Sequence, residues 1–244
     1  MNIALIGYGK MGKEIEKILV NRGHQCILKI SSSNLEDFTK EKFKLIDIAI
    51  EFTNPEVAVF NLKKCITWGV PVVTGSTGWY KHYNDVAYLV EQQNGSLFYA
   101  TNFSIGVNIF FKLNEMLSQL MTDKQYEPYI WEQHHIHKKD HPSGTGITLA
   151  EGLLRNFPTK TSIQAKLETE VNHKNTEASD LTIICSREAE VPGTHKVIWN
   201  GTNDKIEITH EAFNRIGFAE GAVIAAEWLY QKKGIYSMND MLKL

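Results

Sequence analysis

The sequence holds too little positive charge for a nucleic-acid surface and too little uninterrupted apolar length for a membrane. Its 26 Lys and Arg residues are balanced by 28 Asp and Glu, a formal net charge of −2, so a ligand must be recognised by a local site and not by a global field. No apolar stretch is long enough to span a bilayer. The opening Met1-Asn2-Ile3-Ala4-Leu5-Ile6 lacks the basic start and cleavage site of a secretory signal. Neither nucleic acid nor membrane is expected as a partner, and the expected location is the cytoplasm. Cysteine is scarce: Cys26, Cys65 and Cys185 are odd in number, have no CxxC spacing and lie in apolar stretches. They read as small buried thiols of a reduced compartment, not as a disulfide framework. Internal repeats and low-complexity segments are missing as well. What remains is ordinary globular material, 43% hydrophobic and 22% charged over 244 residues, enough for one large domain or two smaller ones.

The first hundred residues alternate between strand and helix patterns. Apolar runs at 3–6, 26–30, 45–52, 70–74 and 97–100 read as strands, and Met11, Ile15, Ile18 and Leu19 share one helical face. Asn54 before Pro55 suits a helix start. Buried strands alternating with helices predict an α/β fold with a parallel sheet covered on both sides. Beyond about residue 104 the texture changes. A helix is expected over 106–121, then alternating runs at 129–134, 181–186, 196–199 and 205–210. These predict half-exposed strands in a mixed or antiparallel sheet. The polar stretch 160–180 reads as a long loop, and 219–232 as a last helix packing through Ala222, Ala225, Ala226 and Leu229.

Gly7-Tyr8-Gly9-Lys10-Met11-Gly12 matches GxGxxG, ends a strand and opens a helix, the context in which the motif binds a dinucleotide. Gly7 allows the tight turn, Gly9 admits the pyrophosphate and Gly12 lets helix and strand pack closely. The bland alternative is a glycine-rich turn with no ligand. The acid that usually ends the second strand and bonds the ribose 2′-OH is missing. That strand ends Lys29-Ile30-Ser31-Ser32-Ser33, where a lysine and hydroxyls suit a 2′-phosphate and so lean toward NADPH. Gly75-Ser76-Thr77-Gly78 and Ala100-Thr101-Asn102-Phe103-Ser104 follow the fourth and fifth strands. Loops at such strand ends line the ligand crevice of an open parallel sheet.

The most informative stretch is Glu132-Gln133-His134-His135-Ile136-His137-Lys138-Lys139-Asp140-His141-Pro142-Ser143-Gly144-Thr145-Gly146. It sets titratable histidines and lysines beside a helix start, whose N–H groups receive carboxylates. The histidines are numerous enough to raise a zinc or nickel site. No cysteine lies near them, however, and the interleaved lysines repel a cation, so no metal is expected.

This segment resembles the signature of the dihydrodipicolinate reductase family, E-x-H-H-x-x-K-x-D-x-P-S-G-T, at Glu132, His134, His135, Lys138, Asp140, Pro142, Ser143, Gly144 and Thr145. Family-like pieces recur in order along nearly the whole chain. They are the glycine loop, Glu51-Phe52-Thr53 with Pro55, the 75–78 turn, residues 102–108, Arg187 with Val191-Pro192-Gly193-Thr194-His195, and residues 208–219 through Arg215 and Phe218. Departures are Glu51 where Asp is usual, Ser76 for Thr and Thr101 for Pro.

The resemblance implies a Rossmann-type dinucleotide-binding domain from residues 1–104 and 215–244. A second, α+β mixed-sheet domain (105–214) would bind substrate and build a homotetramer, with hinges between them. It implies reduction of 4-hydroxy-tetrahydrodipicolinate to tetrahydrodipicolinate with loss of water, in diaminopimelate and lysine biosynthesis, using NADPH and/or NADH. His134 and Lys138 would be catalytic, with Lys138 the proton donor. His135, Ser143, Gly144 and Thr145 would hold the substrate's carboxylates. Gly7, Tyr8, Gly9, Lys10, Met11, Gly12, Ser31, Ser32, Gly75, Ser76, Thr77, Ala100, Thr101, Asn102 and Phe103 would meet the cofactor. The main rival is another Rossmann-type dehydrogenase acting on an amino or hydroxy acid. A nucleotide-sensing module without turnover is the non-enzymatic one.

Overall fold

The computed structural model describes residues 1–138, 140–170 and 177–244. In chain order the elements are β1 (Asn2–Ile6), α1 (Lys10–Asn21), β2 (Gln25–Ile30), α2 (Lys40–Phe43), β3 (Ile48–Glu51), α3 (Pro55–Thr67), β4 (Val72–Thr74), α4 (Tyr83–Gln92) and β5 (Ser96–Tyr99). Then follow α5 (Ile105–Met121), β6 (Glu127–His134), α6 (Gly144–Asn156), β7 (Ser162–Leu167), β8 (Asp180–Arg187), β9 (Thr194–Asn200), β10 (Lys205–Glu211), α7 (Ile216–Leu229), β11 (Gly234–Tyr236) and α8 (Met238–Leu242). The chain divides into two compact units, Met1–Ile105 with Ile216–Leu244, and Gly106–Arg215. No helix among the described residues is long and apolar enough to cross a membrane.

The first unit is a parallel sheet in the order β11-β5-β4-β3-β1-β2. Side chains along a strand alternate between its faces, and here both faces are apolar. Ile3, Leu5, Ile48 and Ile50 pack with Ile15 and Leu19 of α1 and Ala222, Ala225, Ala226 and Leu229 of α7. Ala4, Ile6 and Ala49 pack on the other side with Leu62 and Ile66 of α3. Burial on both faces is why these strands read as continuous apolar runs. Asn54 caps α3 by accepting from the Val57 N–H at 3.2 Å, with Pro55 in the first turn.

The second unit is a mixed sheet in the order β10-β9-β6-β8-β7, with β6, β7 and β8 parallel and β9 and β10 antiparallel. Ile130, Leu181, Ile183, Cys185, Val197 and Trp199 form its core with Leu149, Ala150 and Leu153 of α6 and Phe110 of α5.

Two expectations need correction, and one strand was not foreseen. The third strand is only Ile48–Glu51, because Leu45 is exposed in the turn after α2. The stretch 160–180 is not all loop: it carries β7, an edge strand pairing parallel with β8. Its alternating Gln164 and Lys166 hid it, since an edge strand needs little apolar surface. Residues 171–176 of that expected loop lie outside the described residues. The short edge strand β11 was not expected either, because three residues carry no readable period.

Candidate active site

The glycine loop closes the carboxyl end of β1 against its neighbours. The Gly7 N–H donates to the Ile30 carbonyl at 2.9 Å and the Phe52 N–H to the Ile6 carbonyl at 2.8 Å. Gly7 has φ +97°, and a Cβ there would overlap the Phe52 carbonyl, so only glycine fits. Gly9 is the N-cap of α1, with no side-chain cap, and a Cβ on it would meet nothing within 4 Å. The start of a 12-residue helix therefore opens onto free space. That is a suitable cradle for a pyrophosphate, which the helix dipole and first-turn N–H groups attract. Beside it lies a cavity of about 450 Å³ lined by Tyr8, Ser31, Ser32, Asn54, Val57 and Phe60, among others. Its size and mixed lining fit the adenosine half of a dinucleotide.

The other expected cofactor residues are placed less directly. Lys10, Met11 and Gly12 form the first turn of α1. Gly75, Ser76 and Thr77 follow β4, and Ala100, Thr101, Asn102 and Phe103 follow β5, at the carboxyl ends of the sheet. Thr77 and Thr101 are exposed. Ser76 and Phe103, however, are buried: Phe103 packs 5.6 Å from Phe52 and 5.9 Å from Phe98 between ring centroids. Their side chains hold the loops. The residue that organises this end is Glu51, where the family usually has Asp. Glu51 is fully buried. Its carboxylate accepts from Thr74 Oγ1 at 2.5 Å, Ser76 Oγ at 3.0 Å, the Thr53 N–H at 3.2 Å, Asn61 Nδ2 at 3.4 Å and the Thr53 hydroxyl. One carboxyl group thus ties β3, β4 and α3 together.

In the second unit, strand register assembles the chemistry. Glu132 and His134 are two apart on β6 and so share a face. Glu132 lies opposite His195 of β9, and His134 opposite Arg187 of β8. Glu132 is fully buried beneath the start of α6. It accepts from the Ser143 N–H at 2.9 Å and from Ser143 Oγ at 2.5 Å. Ser143 Oγ caps α6 by accepting from the Gly146 N–H at 3.0 Å and lies 3.1 Å from His195 Nε2. A Cβ on Gly146 would stand 2.5 Å from Glu132 Oε2, so glycine is needed for the carboxylate to reach under the helix. Ser143 was expected among the carboxylate ligands. It is 3% exposed, and its N–H and hydroxyl both donate to Glu132 while its oxygen caps the helix start. Gly144 is exposed and Thr145 half-buried at that start.

His134 is buried, with Nδ1 lacking a hydrogen-bond partner and 3.9 Å from Glu132 Oε1. Burial pushes its pKa down to about 4; Lys138 and Arg187 add to the fall and Glu132 and Asp140 oppose it. It is neutral at pH 7. His195, whose ring centroid is 5.0 Å away, is pushed down to about 3 by burial and by neighbouring His134, His210 and Lys138. Lys138 Nζ pairs with both Asp140 oxygens, at 2.9 and 2.7 Å. Partial burial works against the Asp140 charge, but Lys138, the backbone and Arg187 outweigh it and hold the carboxyl below its usual range. Arg187 fastens the loop itself. Its Nε donates to the Lys138 carbonyl at 3.3 Å and its Nη2 to the Asp140 carbonyl at 2.7 Å. His135 is half-buried with an unpartnered Nδ1. His137 is exposed and pairs with Glu190 at 3.3 Å. Glu132, His134 and His195 place ligand-type atoms within 4.8 Å of one another. A cation there would compete with Ser143 for the carboxylate and be repelled by Lys138 and Arg187.

A parallel sheet whose first strand runs through an uncapped glycine turn into a helix is how Rossmann-type oxidoreductases hold a pyridine nucleotide, and this chain is of that class. Two family models match it, "Dihydrodipicolinate reductase, N-terminus" over residues 1–103 and "Dihydrodipicolinate reductase, C-terminus" over 106–242. It is 42% identical over 243 residues to a 4-hydroxy-tetrahydrodipicolinate reductase of Christiangramia forsetii, covering 99% of this chain and 98% of that protein. An Archaeoglobus fulgidus protein of the same name is 36% identical over 200 residues, 81% of this chain and 76% of its own. The chain belongs to the dihydrodipicolinate reductase family. Its fold matches that of a dipicolinate-bound dihydrodipicolinate reductase from Paenisporosarcina sp. TG-14 with a TM-score of 0.78 at 19% identity, covering 99% of both chains.

Proposed function

We propose that the protein reduces 4-hydroxy-tetrahydrodipicolinate to tetrahydrodipicolinate with loss of water, in lysine and diaminopimelate biosynthesis; its relatives are named as reductases of that substrate. The observation that carries the reading is the grouping of a neutral buried His134, the Lys138 ammonium and the start of α6 around the end of β6. The chemistry a bound reduced nicotinamide supplies is a hydride for C4 of the ring. Gly7, Gly9 and the first turn of α1 would hold its pyrophosphate.

The chain's own residues do the rest. Two ring carboxylates need donors, and the Gly144–Thr145 helix start, His135 and Lys138 offer them. Asp140 is largely exposed, so its bridge to Lys138 is worth little and yields to a ligand carboxylate. Loss of the C4 hydroxyl with a proton from C3, as water, leaves a conjugated ring; as C4 of that ring gains hydride, charge gathers at C3, and Lys138 Nζ stands as the proton source there. His134 enters neutral and takes up or returns a proton at its ring nitrogen. NADPH is proposed to serve at least as well as NADH, because the end of β2 carries no acid to repel a 2′-phosphate. On family grounds the assembly proposed is a homotetramer, checked by its mass in solution against the 27.7 kDa chain.

Thr145→Val keeps the shape of the helix start and removes a hydroxyl. Hydrogen bonds to charged groups are worth roughly 1.5–3 kcal/mol, so affinity for pyridine-2,6-dicarboxylate should fall by about tenfold or more, with a parallel rise in KM. Calorimetric titration of parent and variant reads this directly. Equal affinities would place the carboxylates elsewhere.

A further inference from the structure

The end of β2 is wired in a way that the family reading does not require. Ile30 is buried in the core toward α3, so its neighbour Lys29 emerges on the opposite face of the strand, where α1 lies. There Lys29 Nζ pairs with Glu16 Oε1 at 2.5 Å and stands 5.2 Å from the centroid of the Tyr8 ring. The Tyr8 hydroxyl donates to the other Glu16 oxygen. Tyr8 itself lines the nucleotide cavity. The serines beyond are partly spent: Asn34 Oδ1 accepts both the Ser31 N–H at 2.8 Å and the Ser31 hydroxyl at 2.9 Å. Asn34 Nδ2 donates back to the Lys29 carbonyl at 2.8 Å. The turn is thus folded onto itself, and the cation expected to answer a 2′-phosphate already has a carboxylate.

We propose that Glu16 is a specificity-determining residue for the nucleotide: by pairing with Lys29 and anchoring Tyr8, it neutralises the cation held against Tyr8, a residue of the cavity wall, and keeps the preference between a 2′-phosphate and a 2′-hydroxyl small. This rests on the reading of that cavity as a pyridine-nucleotide site. The electrostatics are simple. With Glu16 charged, Lys29 and Glu16 present no net charge to an incoming phosphate. With Glu16 made neutral, the same ammonium, 40% exposed in its side chain, presents a full positive charge beside Tyr8. A phosphate gains from that charge far more than a hydroxyl does.

The test is direct titration of NADPH and NADH, followed by nucleotide fluorescence, on the parent, Glu16→Gln, Lys29→Met and the double variant. Gln keeps the length and a hydrogen-bond partner for Tyr8. In Glu16→Gln the ratio of Kd for NADH to Kd for NADPH should rise roughly five- to tenfold at low salt and shrink as salt is added. Adding Lys29→Met should return the ratio to the parent's value or below. A Glu16→Gln ratio within twofold of the parent, or a rise that survives in the double variant, overturns the proposal. Because binding is read without substrate, a parent that binds both nucleotides but reduces no ring overturns only the proposed reaction, and the ratio still decides the role of Glu16. A parent that binds neither nucleotide overturns both.

Discussion

His134→Ala is expected to lower kcat by ~10²–10⁴, the range for loss of a general acid or base. Lys138→Ala should lower kcat and raise KM together, since it removes both a proton source and a carboxylate contact. The pH profile gives the sign. Burial holds the His134 pKa near 4 in the free protein, below the ordinary histidine value. The neutral ring therefore persists from pH 7 downward, and protonation begins only as pH approaches 4. Because kcat/KM reports the free enzyme, its acid limb should lie well below pH 6 and vanish in His134→Ala. A bound dianion raises the pKa, so the limb in kcat should sit at higher pH. Near-normal turnover in both variants, with the fold intact by circular dichroism, would remove these residues from the chemistry.

Glu51→Leu is expected to cost several kcal/mol of stability, roughly 1–3 kcal/mol for each buried donor left without an acceptor. The change leaves the donors of Thr53, Thr74, Ser76 and Asn61 facing a hydrocarbon side chain. Glu51→Asp retains the charge but is one methylene shorter, so it should cost less. Urea unfolding at neutral pH measures both. A loss below about 1 kcal/mol for Glu51→Leu would mean that the loops after β3 and β4 hold their shape without the carboxylate.

The nucleotide half of the molecule was readable because its signals are local. Apolar runs of strand length, a GxGxxG turn and the Asn54-Pro55 helix start each lie within a few consecutive residues. The segment from Glu132 to Thr145 was readable for the same reason. His195 and Arg187 were not picked out as site residues, because strand register alone brings them to Glu132 and His134. No local pattern encodes a pairing across some fifty or sixty residues. The motif position of Ser143 suggests a ligand contact, but it does not reveal that Glu132 lies underneath and accepts from both its N–H and its hydroxyl. The organising role of Glu51 is not legible in the sequence, because one acid in place of another looks conservative until its partners are seen.

The most direct test of the central claim is oxidation of NADPH and of NADH by the purified protein, followed at 340 nm, with 4-hydroxy-tetrahydrodipicolinate generated in situ by the synthase that makes it. Substrate-dependent oxidation of both nucleotides is expected, with kcat/KM for NADPH at least equal to that for NADH, and inhibition by pyridine-2,6-dicarboxylate. Folded protein that binds nucleotide yet oxidises neither faster than the substrate-free control would contradict that claim.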